Sequence, residues 1–221
     1  MFSLFQKHKD IHPRTLQEAI DEVITPVAKG WGMEKKGDYL WYSPGDSEIR
    51  FGLQYSFLKG NQGTLTWGLC LNYVPLISGN TLKFYRTGQS FKIHLFEWTD
   101  EYANSFMGGK MNGGVVNHSI GKRTAESLEK LLKAYSPKIE KWMANTHTID
   151  GIIKCTESQI DTGKYYNLHS PNPKYILPFL YAKNHLVSEA QAQFELFDLS
   201  YFNDSDEIRD KVQNCLLGLS H

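Results

Sequence analysis

His8-Lys9-Asp10-Ile11-His12 sets two imidazoles four residues apart around a carboxylate, the spacing at which one helix face would offer both rings to a metal ion. Pro13 disfavours a helix across that segment, and neither a general-base glutamate between the rings nor a third ligand is evident, so a solvated terminal segment is the better reading. The remaining histidines, at 94, 118, 147, 169, 185 and 221, are scattered. Gly121-Lys122-Arg123-Thr124 stands ahead of an apolar-periodic run, where backbone donors and a lysine at a helix start attract phosphate. A nucleotide loop needs a glycine five residues before its Gly-Lys pair and a hydroxyl directly after it; Val116 and Arg123 stand there instead. Simple helix capping accounts for the motif. The glycine-rich run Gly108-Gly109-Lys110-Met111-Asn112-Gly113-Gly114 follows no strand in phase with dinucleotide spacing.

Covalent chemistry has no sequence support. No serine occupies a nucleophile elbow, and Cys70, Cys155 and Cys215 are odd in number and widely spaced, which fits buried free thiols better than a disulfide framework or a zinc site. Asp100 with Glu101, and Asp204 with Asp206 one residue apart, are paired acids in turn-like segments; acid/base work would need a pocket that splits their pKa values. No catalytic residue, metal ligand or cofactor is assigned.

Binding chemistry has a clearer carrier. Residues 48–73 alternate, with Ile49, Phe51, Leu53, Tyr55 and Phe57, then Leu65, Trp67, Leu69, Leu71 and Tyr73, on one phase. Arg50, Gln54, Ser56, Thr64, Thr66 and Asn72 fall on the other. Because successive strand side chains point to opposite faces, two antiparallel strands with one apolar and one polar face follow. Arg50, Gln54, Ser56 and Asn72 on the polar face, together with Trp67 of the apolar one, are the candidate binding residues. The chain also carries five Trp, twelve Tyr and twelve Phe, concentrated between Trp31 and Trp98. Most are core, but Trp41, Tyr42, Tyr85, Phe96 and Trp98 fall partly off the main apolar phase, and Tyr and Trp dominate binding hot spots.

The elements that position these residues can be read in order. Thr15 with Glu18 is a capping pair, and Leu16, Ala19, Ile20, Val23, Ile24 and Val27 make a helical apolar stripe that Gly30 and Gly32 stop. Residues 33–43 begin the sheet, and 39–42, aromatic on both faces, predicts an interior strand. Strands over about 48–58 and 64–74 complete a meander, and 82–85 with 91–96 predicts a further hairpin, for about five strands. Residues 100–122 form a long glycine-rich loop, a length usually associated with function or disorder. From Thr124, the apolar residues Leu128, Leu131, Leu132, Tyr135, Ile139 and Trp142 keep helical spacing, with Pro137 expected to kink or split the helix. Short helices close the chain: Asn172-Pro173 as N-cap and first-turn proline, Ser188 with Gln191 as a capping box, and 206–217 with Ile208, Val212 and Leu216 on one face.

Lys plus Arg and Asp plus Glu each total 24 in 221 residues, so no global field draws the chain to a phosphate backbone or an anionic membrane. No run of 18 apolar residues occurs, and the first ten residues lack a signal-peptide core, which predicts a cytoplasmic protein.

Residues 15–29, then Gly30-Trp31-Gly32-Met33-Glu34-Lys35-Lys36-Gly37, Phe51-Gly52-Leu53-Gln54-Tyr55-Ser56 and Leu65-Thr66-Trp67-Gly68-Leu69, resemble a bacterial domain-of-unknown-function family, number 4304. The resemblance covers about residues 14–100, and residues 177–197 look like that family's helical tail. It departs at the glycine-rich insert. Some similar small domains are encoded near toxin systems, which implies an immunity or interaction role by analogy.

The reading is therefore an α+β fold: an N-terminal helix, an antiparallel sheet of about five strands, a long helix and a C-terminal helical layer on one face. It treats residues 1–221 as one domain, with a sheet-containing part over about 14–146 and a helical part over about 170–219. The expected function is non-catalytic protein binding through the polar sheet face and the glycine-rich loop, with a toxin-like partner by analogy and neither nucleic acid nor membrane. The alternative is a small-ligand protein or enzyme with a pocket between sheet and C-terminal helices, anchored by Arg50, Gln54 and Asn72.

Overall fold

A computed structural model describes residues 13–59, 61–99, 114–118, 121–163, 171–197, 199 and 205–220. The paired histidines at 8 and 12, the acids at 100, 101 and 204, and most of the glycine-rich run lie outside them. The fold is α+β, with a curled antiparallel sheet of about five strands. Helix α1 spans Pro13–Gly30. Among the described residues eight strands follow: β1 Glu34–Lys35, β2 Leu40–Tyr42, β3 Ile49–Leu58, β4 Gln62–Leu71, β5 Leu76–Ser78, β6 Thr81–Lys83, β7 Leu95–Trp98 and β8 Val116–Asn117. The remaining helices are α2 Gly121–Asn145, α3 Ile149–Thr162, α4 Pro173–Lys183, α5 Val187–Glu195 and α6 Ser205–Leu219. The main sheet runs β1-β2-β3-β4-β7, with β8 also pairing β4, while β5 and β6 make a separate two-stranded ribbon.

The chain divides into two compact units that interleave along the sequence. The first comprises residues 1–44, 52–67 and 97–140; the second comprises 45–51, 68–96 and 141–221. In the first unit α1 begins two residues before the expected Thr15 cap, with Pro13 at a position where a missing N–H costs nothing. It ends as expected: Gly32 takes a left-handed φ of 74°, and the Met33 N–H returns to Ala28 O at 2.9 Å. Leu16, Ala19, Ile20 and Ile24 are buried, and Trp41 Nε1 donates to Thr25 Oγ1 at 3.1 Å. Strand β2 is interior as expected, with Trp41 and Tyr42 both buried. Helix α2 starts at Gly121 rather than Thr124, and Pro137 lies inside it without splitting it.

The second unit has one continuous apolar core, in which Leu69, Leu71 and Leu95 join Ile152, Phe179, Phe194 and Val212. Its helix α3 has no counterpart in the sequence reading. Thr148 caps it, accepting from the Gly151 N–H at 3.2 Å, and Gly163 closes it at φ 61°. Asn172 caps α4 through Lys174 N at 2.9 Å, as the Asn-Pro step predicts. The Ser188–Gln191 capping box does not form. Helix α5 already starts at Val187 with no side-chain cap, and Gln191 reaches forward to Glu195 Oε1 instead. Ile208, Val212 and Leu216 are buried on α6 as expected.

Two sheet expectations change. The hairpin over 82–85 and 91–96 is absent: β6 pairs β5, while β7 enters the main sheet beside β4. The carbonyls of Tyr85, Thr87 and Ser90, which such a hairpin would engage, are held instead by the Arg50 guanidinium. Nor is β4 half exposed, since every residue from 63 to 71 is buried. Its hydroxyls are satisfied within their own unit: Thr64 Oγ1 donates to Gly114 O at 2.6 Å, and Thr66 Oγ1 meets Ser56 Oγ at 3.0 Å.

Candidate functional site

The five residues singled out on the strands do not converge. Gln54, Ser56 and Trp67 belong to the first unit, Arg50 and Asn72 to the second. Arg50 is fully buried: Nη1 donates to Thr87 O at 2.9 Å, and Nη2 to Tyr85 O and Ser90 O at 2.7 and 2.8 Å. A guanidinium holding three carbonyls organises the 85–90 loop rather than offering its fork to a ligand. Asn72 is half-buried and donates to Asp46 O at 3.4 Å. Trp67 is buried beside the Tyr135 ring, with centroids 6.1 Å apart. Ser56 is occupied by Thr66, and Gln54 alone of the five is exposed.

The first unit assembles a different constellation at the tip of the β3–β4 hairpin. Alternation puts Tyr55 and Phe57 on one face of β3. The β1–β2 connection brings Tyr39 over them, its carbonyl accepting from Tyr55 N at 2.9 Å. From the other side β8 pairs Asn117 with Gln62 and Val116 with Gly63, and the His118 N–H donates to Asn61 O at 2.8 Å. His118 Nε2 thereby lies 2.7 Å from Tyr55 Oη. The pairing requires glycine at 63, where a Cβ would stand 2.2 Å from that phenol oxygen.

Tyr39 holds φ at 62°, a left-handed backbone that a bulky aromatic adopts only where its surroundings compel it. Asn61, at the hairpin turn, has φ 56°, which asparagine tolerates. Such strain concentrates at functional sites. Four rings gather there: Phe57 meets Tyr39 edge-on with centroids 4.6 Å apart, Tyr55 at 5.6 Å and His118 at 5.4 Å.

Burial raises the Tyr55 phenol above its ordinary value, with Tyr39 adding to the shift, and lowers the His118 imidazole. Both are thus held neutral. Tyr55 is 1% exposed and His118 8%, whereas Phe57 is 49% exposed. The arrangement offers solvent an apolar ring on a hydrogen-bonded aromatic base. Phe57 is also the one aromatic among the exposed large hydrophobic side chains of the described residues. Alternation puts Tyr55 and Phe57 on the inward phase and gives no sign of His118; the aromatic alternation beside Gly63 is the signal the sequence carries.

Two concavities lie in the second unit. One, of about 630 Å³, is bordered by β6 and α6; the other, of about 570 Å³, is bordered by α3 and α4 and includes Glu157, Tyr181 and Leu196. Tyr181 Oη donates to Glu157 Oε1 at 2.6 Å, and burial first, then that carboxylate, pushes the phenol up to about 12. Neither concavity is lined by Arg50, Gln54 or Asn72. Among the described residues no group of three or more His, Cys, Asp and Glu could hold a metal ion, and no helix is long and apolar enough to cross a membrane. The three cysteines are free.

Fold and site together define an α+β protein with a preorganised aromatic surface at one hairpin tip. No family model, no curated protein and no solved structure matches the chain.

Proposed function

We propose that this chain is a non-catalytic protein-binding domain whose contact centre is Phe57 on its Tyr39–Tyr55–His118 base. One observation carries the reading: an aromatic side chain is 49% exposed and yet held by three rings within 6 Å, one of them on a strained backbone. Exposing a large apolar ring costs solvation free energy, and immobilising it in advance removes an entropic cost of association. Aromatic anchors of this kind are where interface energy concentrates. A bacterial setting and an immunity-like role against a toxin are the narrower form of the proposal, supported by the resemblance to family 4304 alone.

The test is co-purification from the native host with wild-type and Phe57→Ser chains at matched levels. The proposal expects a partner retained by the wild type and reduced at least tenfold by the substitution, since hot-spot truncations cost about 2 kcal/mol or more. Equal recovery with both chains would refute it.

A further inference from the structure

The groove between β6 and α6 has a lining of definite chemistry. Leu82, Phe84 and Leu219 give it apolar walls, Arg86 and Lys211 supply two cations, and no lining residue is acidic. The cations differ in their engagement. Lys211 Nζ is taken up by Glu207 Oε1 and Asn80 O. Arg86 is exposed but fixed: its guanidinium carbon lies 3.8 Å from the centroid of the Phe84 ring, and its Nε donates to Asn72 O at 3.3 Å. Its two terminal nitrogens have no hydrogen-bond partner among the described residues. A guanidinium stacked and tethered in this way presents a planar two-donor fork, the geometry that recognises a carboxylate. Apolar walls beside such a fork match a ligand with an acidic head and a hydrocarbon body.

We propose that this groove binds a small amphipathic carboxylate, with the acid on the Arg86 fork and a single apolar chain along Leu82, Phe84 and Leu219. Cys215 lies in the same lining and reports occupancy, while Cys155, which does not line the groove, serves as the internal reference. The experiment titrates the full chain with decanoate below its micelle-forming concentration and follows iodoacetamide alkylation of the two thiols by mass spectrometry. Decanoate is expected to slow labelling of Cys215 at least tenfold while leaving Cys155 unchanged. Decyltrimethylammonium, with the same chain and the opposite charge, is expected to give no protection. Arg86→Gln, compared with and without decanoate in the same variant, is expected to raise the half-protecting concentration tenfold or more. Absence of protection, protection of both thiols alike, or equal protection by the cationic amphiphile would overturn the proposal; the wild-type arms decide it even if the variant fails to fold.

Discussion

His94 shows how much a single enclosed ring governs. It is fully buried, and its Nδ1 accepts the Leu71 N–H at 3.1 Å, so the fold requires the neutral imidazole. Burial first, then the charges of Lys92 and Arg50, lowers its pKa from 6.5 to about 3. In the unfolded chain the ring titrates near its ordinary value. Between those two values the unfolded state therefore binds more protons, and stability contributed by the neutral ring is lost as pH falls below about 6.5. The slope approaches about 1.4 kcal/mol per pH unit. Denaturant unfolding should show the wild type losing about 2 kcal/mol more than His94→Gln between pH 7.5 and pH 5. A pH-independent difference between the two chains would contradict this assignment. At the same scale, alternation singles out Arg50 as a candidate binding residue, whereas the fold buries it on the carbonyls of Tyr85, Thr87 and Ser90. Alternation assigns a face, but whether that face meets solvent depends on the 85–90 loop, whose carbonyls the guanidinium holds.

Elements with strong local periodicity were legible: α1 with its glycine stop, the β3–β4 hairpin, the Asn172 cap and the apolar face of α6. Helix α3 was not, because Gly151, Thr156 and Thr162 are poor helix formers that dilute its Ile149, Ile152, Ile153 and Ile160 stripe. The structure explains that glycine: a Cβ at 151 would lie 1.8 Å from Asn145 O, so the tight passage from α2 into α3 excludes a side chain. Gly63 plays the corresponding part at the candidate site. Tyr55 is buried and has no room to retreat, so Gly63→Ala must displace its ring, break the contact to His118 and loosen the base of Phe57. Overpacking of this kind costs about 1–3 kcal/mol. Thermal unfolding should show the loss, and fluorine spectra of a fluorotyrosine-labelled chain should show the Tyr55 resonance shifted or broadened; an unchanged Tyr55 signal would contradict the packing described.

At the scale of the molecule, equal numbers of cationic and anionic side chains leave no net field to steer a partner, which puts recognition on local surfaces. The aromatic tip and the Arg86 groove belong to different units. Neither was visible as a site in the sequence, since His118 is 63 residues from Tyr55, and Arg86 is more than a hundred from α6. Long-range pairing of that kind leaves no local periodicity to read. Contact between Phe57 and a protein partner is read by photo-crosslinking in the native host with a benzophenone amino acid at position 57. A discrete adduct of defined mass is expected from position 57, absent when the probe stands at exposed Leu217. No adduct at 57, or the same adducts from both positions, would contradict it.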